Sequence, residues 1–365
     1  MRAAVFHNGR FTVEQRADPA PGPGQWLVRP IACGICGSDL GIRGDAPHLC
    51  DVLHRAGFRT FMDPARPVVM GHEFVCELLE AGAGAGAGAA GLARGARLVA
   101  LPFLRDAAAG LQLLGYSNAY NGAFAEAMLI DAASALPVPD AVSDEAAALT
   151  EPLAVAVHAV AAARPDGDCA FGVVGCGPVG LFVIARLKAL GLGPVIAIEP
   201  DPVRRALAER MGADVVAAGV DGSVDGRADG WWAGQGLPVG LSDAMAVDPA
   251  ARARSRAVLF DCVGKPGLLM QIARAAPVGA TIIGVGTCKA EDRIEPAFLL
   301  QKGLCLHFVF AYAPAEFAEA LAMIARAPDR LLPLVSGQVG LGDLDSAFDA
   351  LAGGGVVKLL VRPDL

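Results

Sequence analysis

Cys169-Ala170-Phe171-Gly172-Val173-Val174-Gly175-Cys176-Gly177-Pro178-Val179-Gly180 decides the fold of the second half of the chain. A short apolar run closed by glycine is the pattern of a strand buried on both faces. Gly175, Gly177 and Gly180 fit G-x-G-x-x-G, with Cys176, Pro178 and Val179 between them, and the apolar stretch 181–190 continues as a helix. Each glycine has its own reason. Gly175 permits the tight turn, Gly177 lets the backbone approach a pyrophosphate, and Gly180 allows close helix–strand packing, while the helix N-terminus favours the negative charge. A second strand, 194–198, ends at Glu199, 19 residues after Gly180. An acid at that distance accepts hydrogen bonds from ribose hydroxyls and repels a 2′-phosphate, so NAD(H) is expected in preference to NADP(H). Arg204 and Arg205 follow closely and act against that preference. Strands over 257–261 and 280–286 continue a doubly wound parallel sheet. Their C-terminal ends face the ligand crevice, which makes Val263 and Val285 candidates to flank the nicotinamide.

The bounds agree with a two-domain enzyme. At 365 residues, 54% hydrophobic and 19% charged, the chain has enough apolar material for two cores. A net charge of −8, from 30 basic and 38 acidic residues, speaks against a nucleic-acid partner. No run of about 18 uncharged apolar residues predicts a membrane span. The start Met1-Arg2-Ala3-Ala4-Val5-Phe6-His7 has no signal-peptide core, so a cytoplasmic location is expected. Nine scattered cysteines fit free thiols and metal ligands better than a disulfide framework.

The first half reads differently. Short strands over 3–6, 26–30, 74–79, 96–102 and 123–130 alternate with Gly/Pro turns, which predicts a barrel-like β domain. A short helix is expected over 52–57, and the Gly/Ala tract 81–91 reads as a loop. Ser143 caps a helix from Asp144, and a second helix begins at Glu151-Pro152. Residues 217–254 give no clear pattern, and Trp231-Trp232 read as packed side chains. The tail predicts a strand over 304–310, helices over 314–327 and 347–351, and a strand over 356–361.

The densest chemistry lies in Cys33-Gly34-Ile35-Cys36-Gly37-Ser38-Asp39, with Gly71-His72-Glu73 downstream. Catalytic zinc takes three ligands from cysteine, histidine and carboxylate and keeps one position open. The candidates are Cys36, His72 and a carboxylate, Glu73 or Glu151. No second cysteine pair is present to hold a structural all-cysteine zinc.

Together the stretches CGICGSD at 33–39, GHE at 71–73, NGAFAE at 121–126, EPLAVAVHA at 151–159, GCGPVG at 175–180 and FDCVGKPG at 260–267 resemble the zinc-dependent medium-chain dehydrogenases/reductases, the alcohol, sorbitol and threonine dehydrogenase-like group. The resemblance spans nearly the whole chain. It implies an α/β protein: a GroES-like β-barrel catalytic domain over 1–152, completed by 298–365, and a Rossmann NAD-binding domain over 153–297. It implies Cys36 and His72 as zinc ligands, Glu151 at the third-ligand position, and Glu73 as a nearby carboxylate able to bind the metal or exchange with water. Ser38 is implied to hydrogen-bond the substrate oxygen and Asp39 to orient His72. The implied reaction moves a hydride between a secondary alcohol or polyol and NAD+, with one catalytic zinc as Lewis acid and Ser38 passing the proton outward. Small alcohols or ketones are the implied partners, and a homodimer or homotetramer the implied assembly.

Three departures stand out. Leu104 to Tyr120 replaces the cysteine lobe that holds a structural zinc in the family. Gly41 occupies the position of a proton-shuttling histidine found in some members. The interval from Cys36 to His72 is longer than usual, and the extra residues 45–66 bring His48, Cys50 and His54, expected to be solvated loop residues, with a substitute proton relay or a substrate contact as the alternative. Two rival readings remain: a zinc-free enone or quinone reductase of the same superfamily, and a dinucleotide-binding sensor or structural protein without turnover.

Overall fold

Alternating polarity and frequent turn residues give the first half of the chain its strands. The computed structural model describes residues 1–82, 92–220, 227–246 and 254–365, so the Gly/Ala loop expected over 81–91 lies almost wholly outside the described residues. Before residue 150 come β1 (Arg2–His7), β2 (Arg10–Gln15), β3 (Gln25–Gly34), β4 (Val68–Val69), β5 (Glu73–Ala81), β6 (Arg97–Val99), β7 (Phe103–Asp106), β8 (Gly110–Leu113), β9 (Met128–Asp131) and β10 (Leu136–Pro137), with helices α1 (Gly37–Arg55) and α2 (Asp144–Ala147). Ser143 Oγ accepts from the Ala146 N–H at 3.2 Å and caps α2, as its sequence position predicts.

The longest strand, β3, is the axis of this unit. It pairs antiparallel with β5 and β9, and its register with β5 sets Cys33 opposite Phe74 and Gly34 opposite Glu73. That register carries the end of the first cysteine motif to the start of the Gly-His-Glu stretch. The apolar faces close over a core that includes Phe6, Trp26, Phe74, Phe124 and Phe348, each buried. Burying side chains of this size is worth about 1.5–3 kcal/mol apiece.

Helix α1 is longer than the sequence suggests. A helix expected only over 52–57 instead starts at Gly37, directly after Cys36. Gly44 and Pro47 disguise it, and the structure shows their cost as a kink at Asp45 (φ −154°, ψ 71°). Asp45 Oδ1 accepts from the His48 N–H at 3.1 Å, so the kink residue caps the following segment, with Pro47 in its first turn.

Contacts divide the chain into two compact units, Met1–Pro152 with Pro314–Leu365, and Leu153–Ala313; α3 (Thr150–Ala162) begins in the first and continues in the second. The second unit contains β11 (Cys169–Val174), α4 (Pro178–Ala189), β12 (Val195–Ile198), α5 (Pro202–Met211), β13 (Val215–Ala217), α6 (Arg227–Gly234), α7 (Leu241–Ala246), β14 (Arg256–Asp261), α8 (Leu268–Ala275), β15 (Thr281–Gly284), α9 (Pro296–Gln301) and β16 (Cys305–Phe308). Among its described residues six strands lie parallel in the order β13-β12-β11-β14-β15-β16. This is the doubly wound arrangement, with the reversal of strand order between β11 and β14. Trp231 and Trp232 meet edge to face with centroids 4.7 Å apart, and Trp232 is buried in the core of this unit.

The return to the first unit comes after residue 313, whereas the sequence suggests 298. Residues 305–308 are the reason: β16 extends the parallel sheet beside β15. The tail then adds α10 (Pro314–Arg326), β17 (Val335–Val339), α11 (Leu344–Gly353) and β18 (Lys358–Val361). Strand β18 pairs antiparallel with β3, Leu360 opposite Gly34 and Val361 opposite Cys33. Among the described residues no helix is long and apolar enough to cross a membrane.

Candidate active site

Cys36 lies where β3 gives way to α1, and His72 and Glu73 lie where β5 begins. The pairing of β3 with β5 brings them together. One donor atom from each of Cys36, His72 and Glu73 falls within 4.8 Å of the others. A thiol, an imidazole and a carboxylate at this separation are a donor set suited to zinc with one position left open. Glu151, in the first turn of α3, is buried but is not part of this cluster. Cys33 is fully buried on β3, and burial, with Glu73 and Asp39 nearby, pushes its thiol well up.

Asp39 is fully buried beneath the cluster. Its Oδ2 accepts from the Cys36 N–H at 2.9 Å, and its Oδ1 accepts from the Tyr116 hydroxyl at 2.6 Å. His72 Nδ1 faces Asp39 Oδ1 at 3.5 Å. Burial disfavours the Asp39 charge, but His72, Tyr116 and the Cys36 N–H outweigh it and hold the carboxyl below its usual range. Burial also opposes a charged His72, yet Asp39 and Cys36 together raise its pKa well above the ordinary value. The Cys36 thiol is pushed up by burial and by Glu73, partly offset by His72.

Two residues of this site carry no sequence motif. Lys358, on β18, is 1% exposed and forms an ion pair with the equally buried Glu73; its Nζ also donates to the Ile35 carbonyl at 3.0 Å. Burial works against the ammonium, and Glu73, Cys36 and Glu151 more than compensate. A lysine inside the apolar run 356–361 was its signal, because a buried lysine requires a partner. Tyr116 had no such signal. It belongs to the segment that replaces the cysteine lobe, its hydroxyl lies 2.8 Å from Ser38 Oγ, and its ring packs 5.1 Å from the His72 ring.

The extra residues 45–66 do not join the cluster. Cys50 is not a solvated loop residue: it lies on α1 in the core of the first unit, and burial with the charge of Asp63 pushes its thiol up to about 11. His54, exposed on α1, contacts the Phe61 carbonyl at 3.0 Å, and His48 is half-buried. Gly41 is buried within α1.

In the second unit, the loop after β11 has the shape its glycines predict. Gly175 has φ +87°, and a side chain there would strike Val263. A Cβ on Gly180 would collide with the Gly175 carbonyl. Gly177 differs: a Cβ there meets no atom of the described chain within 4 Å. Space without a protein neighbour, at the N-cap of α4, is a place for a ligand backbone to approach. Pro178 and Val179 form the first turn of α4. Glu199, buried after β12, accepts from the Cys176 N–H at 2.8 Å and the Asp201 N–H at 3.0 Å, so its carboxylate lies against the glycine loop. Arg204 begins α5, its N–H donating to the cap Asp201 at 3.2 Å. Val263 is 44% exposed just after β14, its N–H donating to Asp261 Oδ1 at 3.0 Å, and the Val285 N–H donates to the Asp261 carbonyl at 2.9 Å. Both valines therefore sit at the C-terminal ends of adjacent strands, β14 and β15.

Comparison with known proteins identifies the two domains. Residues 22–140 match the alcohol dehydrogenase GroES-like domain, and residues 178–326 match the zinc-binding dehydrogenase domain. The chain is 28% identical to (R,R)-butanediol dehydrogenase of Bacillus subtilis (strain 168), with 100% of both chains covered. It is 32% identical to L-threonine 3-dehydrogenase of Pyrococcus abyssi over 54% of this chain and 55% of that one. The crystal structure of 2R,3R-butanediol dehydrogenase from Bacillus subtilis superposes with a TM-score of 0.77 at 28% identity, covering 99% of each chain.

The electrostatics predict proton release on metal binding. In the metal-free site burial and Glu73 favour the protonated Cys36 thiol, and Asp39 favours the protonated His72 imidazole. A metal needs the thiolate and the neutral imidazole, so apparent zinc affinity should fall as pH falls, by up to about two log units per pH unit where both protons are displaced. Calorimetric zinc titration in buffers of different ionisation enthalpy counts those protons. Binding without proton release would exclude Cys36 and His72 as the ligands.

Proposed function

Because the chain belongs to the zinc-dependent medium-chain dehydrogenases/reductases, we propose that Cys36, His72 and a carboxylate from Glu73 or Glu151 hold one zinc ion per chain, beside which a secondary alcohol or polyol is oxidised to its ketone by NAD+. As an oxidoreductase of CH–OH groups it works with zinc and a nicotinamide cofactor. The convergence of the Cys36, His72 and Glu73 donor atoms within 4.8 Å carries the residue assignment.

When bound, zinc supplies a Lewis acid that polarises the substrate oxygen, and the nicotinamide accepts the hydride. The chain's own residues supply position and proton handling. His72 offers Nε2 to the metal because Nδ1 faces Asp39, and Asp39 sets the ring's orientation. Ser38, half-buried in the first turn of α1, offers Oγ to the substrate hydroxyl. Gly41 provides no side chain to carry the proton further, so the onward path differs from one through a histidine at that position.

In the second unit, Gly175, Gly177, Pro178, Val179 and Gly180 receive the dinucleotide pyrophosphate at the N-terminus of α4. Val263 and Val285 flank the nicotinamide. Glu199 reads the adenosine ribose, and its negative charge disfavours a 2′-phosphate, which supports NAD over NADP, with Arg204 acting against it. The full-length similarity to butanediol dehydrogenase supports a small vicinal diol as the substrate class. All nine cysteines are free, which supports a reducing, cytoplasmic setting. Strand β16, an edge of the sheet among the described residues, supports a homodimer: it carries Phe308 at 68% exposure, followed by Phe310 at 71%.

Elemental analysis should find one zinc per chain; protein that turns over alcohols without zinc would favour a zinc-free reductase, and zinc-loaded protein inert on a broad alcohol and ketone panel would favour a sensor. Cys36→Ser should abolish turnover yet leave NADH binding intact by fluorescence titration, and near-normal activity would refute the ligand assignment. Glu199→Gln, which removes the charge but keeps an acceptor for the loop, should shift the kcat/KM ratio towards NADP+ by about tenfold; an unchanged ratio would show that another group reads the ribose. Phe308→Glu should convert a dimer into monomer by analytical ultracentrifugation, and an unaltered mass would remove β16 from the interface.

A further inference from the structure

The two segments that set this chain apart from its family meet at one side chain. Residues 56–67 and 114–120 interlock: the Asp63 N–H donates to Asn118 Oδ1 at 2.7 Å, and Asn118 Nδ2 donates to the carbonyls of Asp63, Arg66 and Pro67 at 3.3, 3.3 and 3.1 Å. Phe58 packs on Phe61, and Phe61 packs on Tyr116 with centroids 5.2 Å apart. Tyr116 is 4% exposed, and its ring lies against His72.

Its hydroxyl has two partners and one proton. The Tyr116 hydroxyl donates to Asp39 Oδ1 at 2.6 Å, on the same carboxyl group whose Oδ2 accepts the Cys36 N–H at 2.9 Å. With that proton committed, the 2.8 Å contact to Ser38 Oγ has only one possible direction: Ser38 donates. The row therefore reads Ser38 to Tyr116 to Asp39. The Ser38 hydrogen is turned away, and among the described residues no donor takes its lone pairs.

We infer that Tyr116 is a positioning residue that orients Ser38 as a hydrogen-bond acceptor for the substrate alcohol and braces Asp39 against His72. The role rests on the reading of Ser38 and of the metal cluster given above, and it deepens that reading. An alcohol donates a hydrogen bond and a ketone cannot, so a fixed acceptor at Ser38 Oγ favours the alcohol in the ground state. A family-level device, the histidine missing at Gly41, is not replaced in kind. The chain instead brings in a side chain from the segment that elsewhere holds a structural zinc.

Tyr116→Phe keeps the ring, and with it the packing on Phe61 and His72, and deletes only the hydroxyl. Tyr120→Phe is the matched control, since the Tyr120 hydroxyl donates to Asp106 at 2.5 Å, outside the site. Wild type, both single variants, Ser38→Ala and Ser38→Ala/Tyr116→Phe are loaded with zinc. Oxidation of 2,3-butanediol by NAD+ and release of zinc to a chromogenic chelator are then followed separately. The expected result is a fall of about tenfold in kcat/KM and zinc release faster by about tenfold in Tyr116→Phe, the scale of losing a group that orients a metal ligand. The kinetic loss should nearly vanish in the Ser38→Ala background, and Tyr120→Phe should match wild type in both assays. Losses that multiply across the double variant, or a Tyr116→Phe protein matching an active, zinc-loaded wild type in both assays, overturn the role of Tyr116 alone. A wild type that holds no zinc overturns the functional reading on which it rests.

Discussion

The buried ion pair between Glu73 and Lys358 joins residues 285 positions apart in the sequence. Neither charge reaches solvent, so each is tolerable only because of the other; removing one partner of such a pair costs about 3–5 kcal/mol. The lysine also holds the Ile35 carbonyl, which ties β18 to the end of β3 immediately before Cys36. Gly34 belongs to the same arrangement, for a Cβ there would occupy the space of the Glu73 carboxylate and the lysine. In the proposed zinc site this pair leaves Glu73 one oxygen for the metal, because Oε2 is committed to the ammonium. The position of Glu73 beside Cys36 and His72 thus depends on the last strand of its unit.

The candidate metal cluster has two tiers. Cys36, His72 and Glu73 come from the ends of β3 and β5, where strand register fixes backbone positions to within a residue. Asp39, Tyr116 and Lys358 then fix side-chain directions from three further places: the first turn of α1, the segment after β8, and β18. Desolvation raises the cost of any mismatch among them, since buried polar groups must find partners within the protein.

Much of this was legible because it depends on local pattern. The glycine loop after β11 is encoded by sterics at Gly175 and Gly180, and the same constraints operate in the folded chain. Cys36, His72 and Glu73 stand in recognisable company in the sequence. The helix over 37–55 was not legible, because Gly44 and Pro47 argue locally against it while Asp45 rescues it with a cap. Residues 305–308 read correctly as a strand, but pairing with β15 rather than with the first unit is a long-range choice that composition does not express. Tyr116 was invisible for the same reason: its partners Ser38 and Asp39 lie more than 70 positions away, and nothing in its immediate neighbourhood marks it.

The discontinuity of the first unit has a consequence for the order of events at the ribosome. The dinucleotide unit is one uninterrupted segment, Leu153–Ala313, and all its strands emerge before β17 and β18 are made. The first unit, though its synthesis begins earlier, lacks its seam with β18 and the counter-ion of Glu73 until the segment after residue 313 has been translated. The domain started first is therefore the domain finished last. The candidate site with its Glu73–Lys358 pair is complete only after the second unit, Leu153–Ala313, has been synthesised in full.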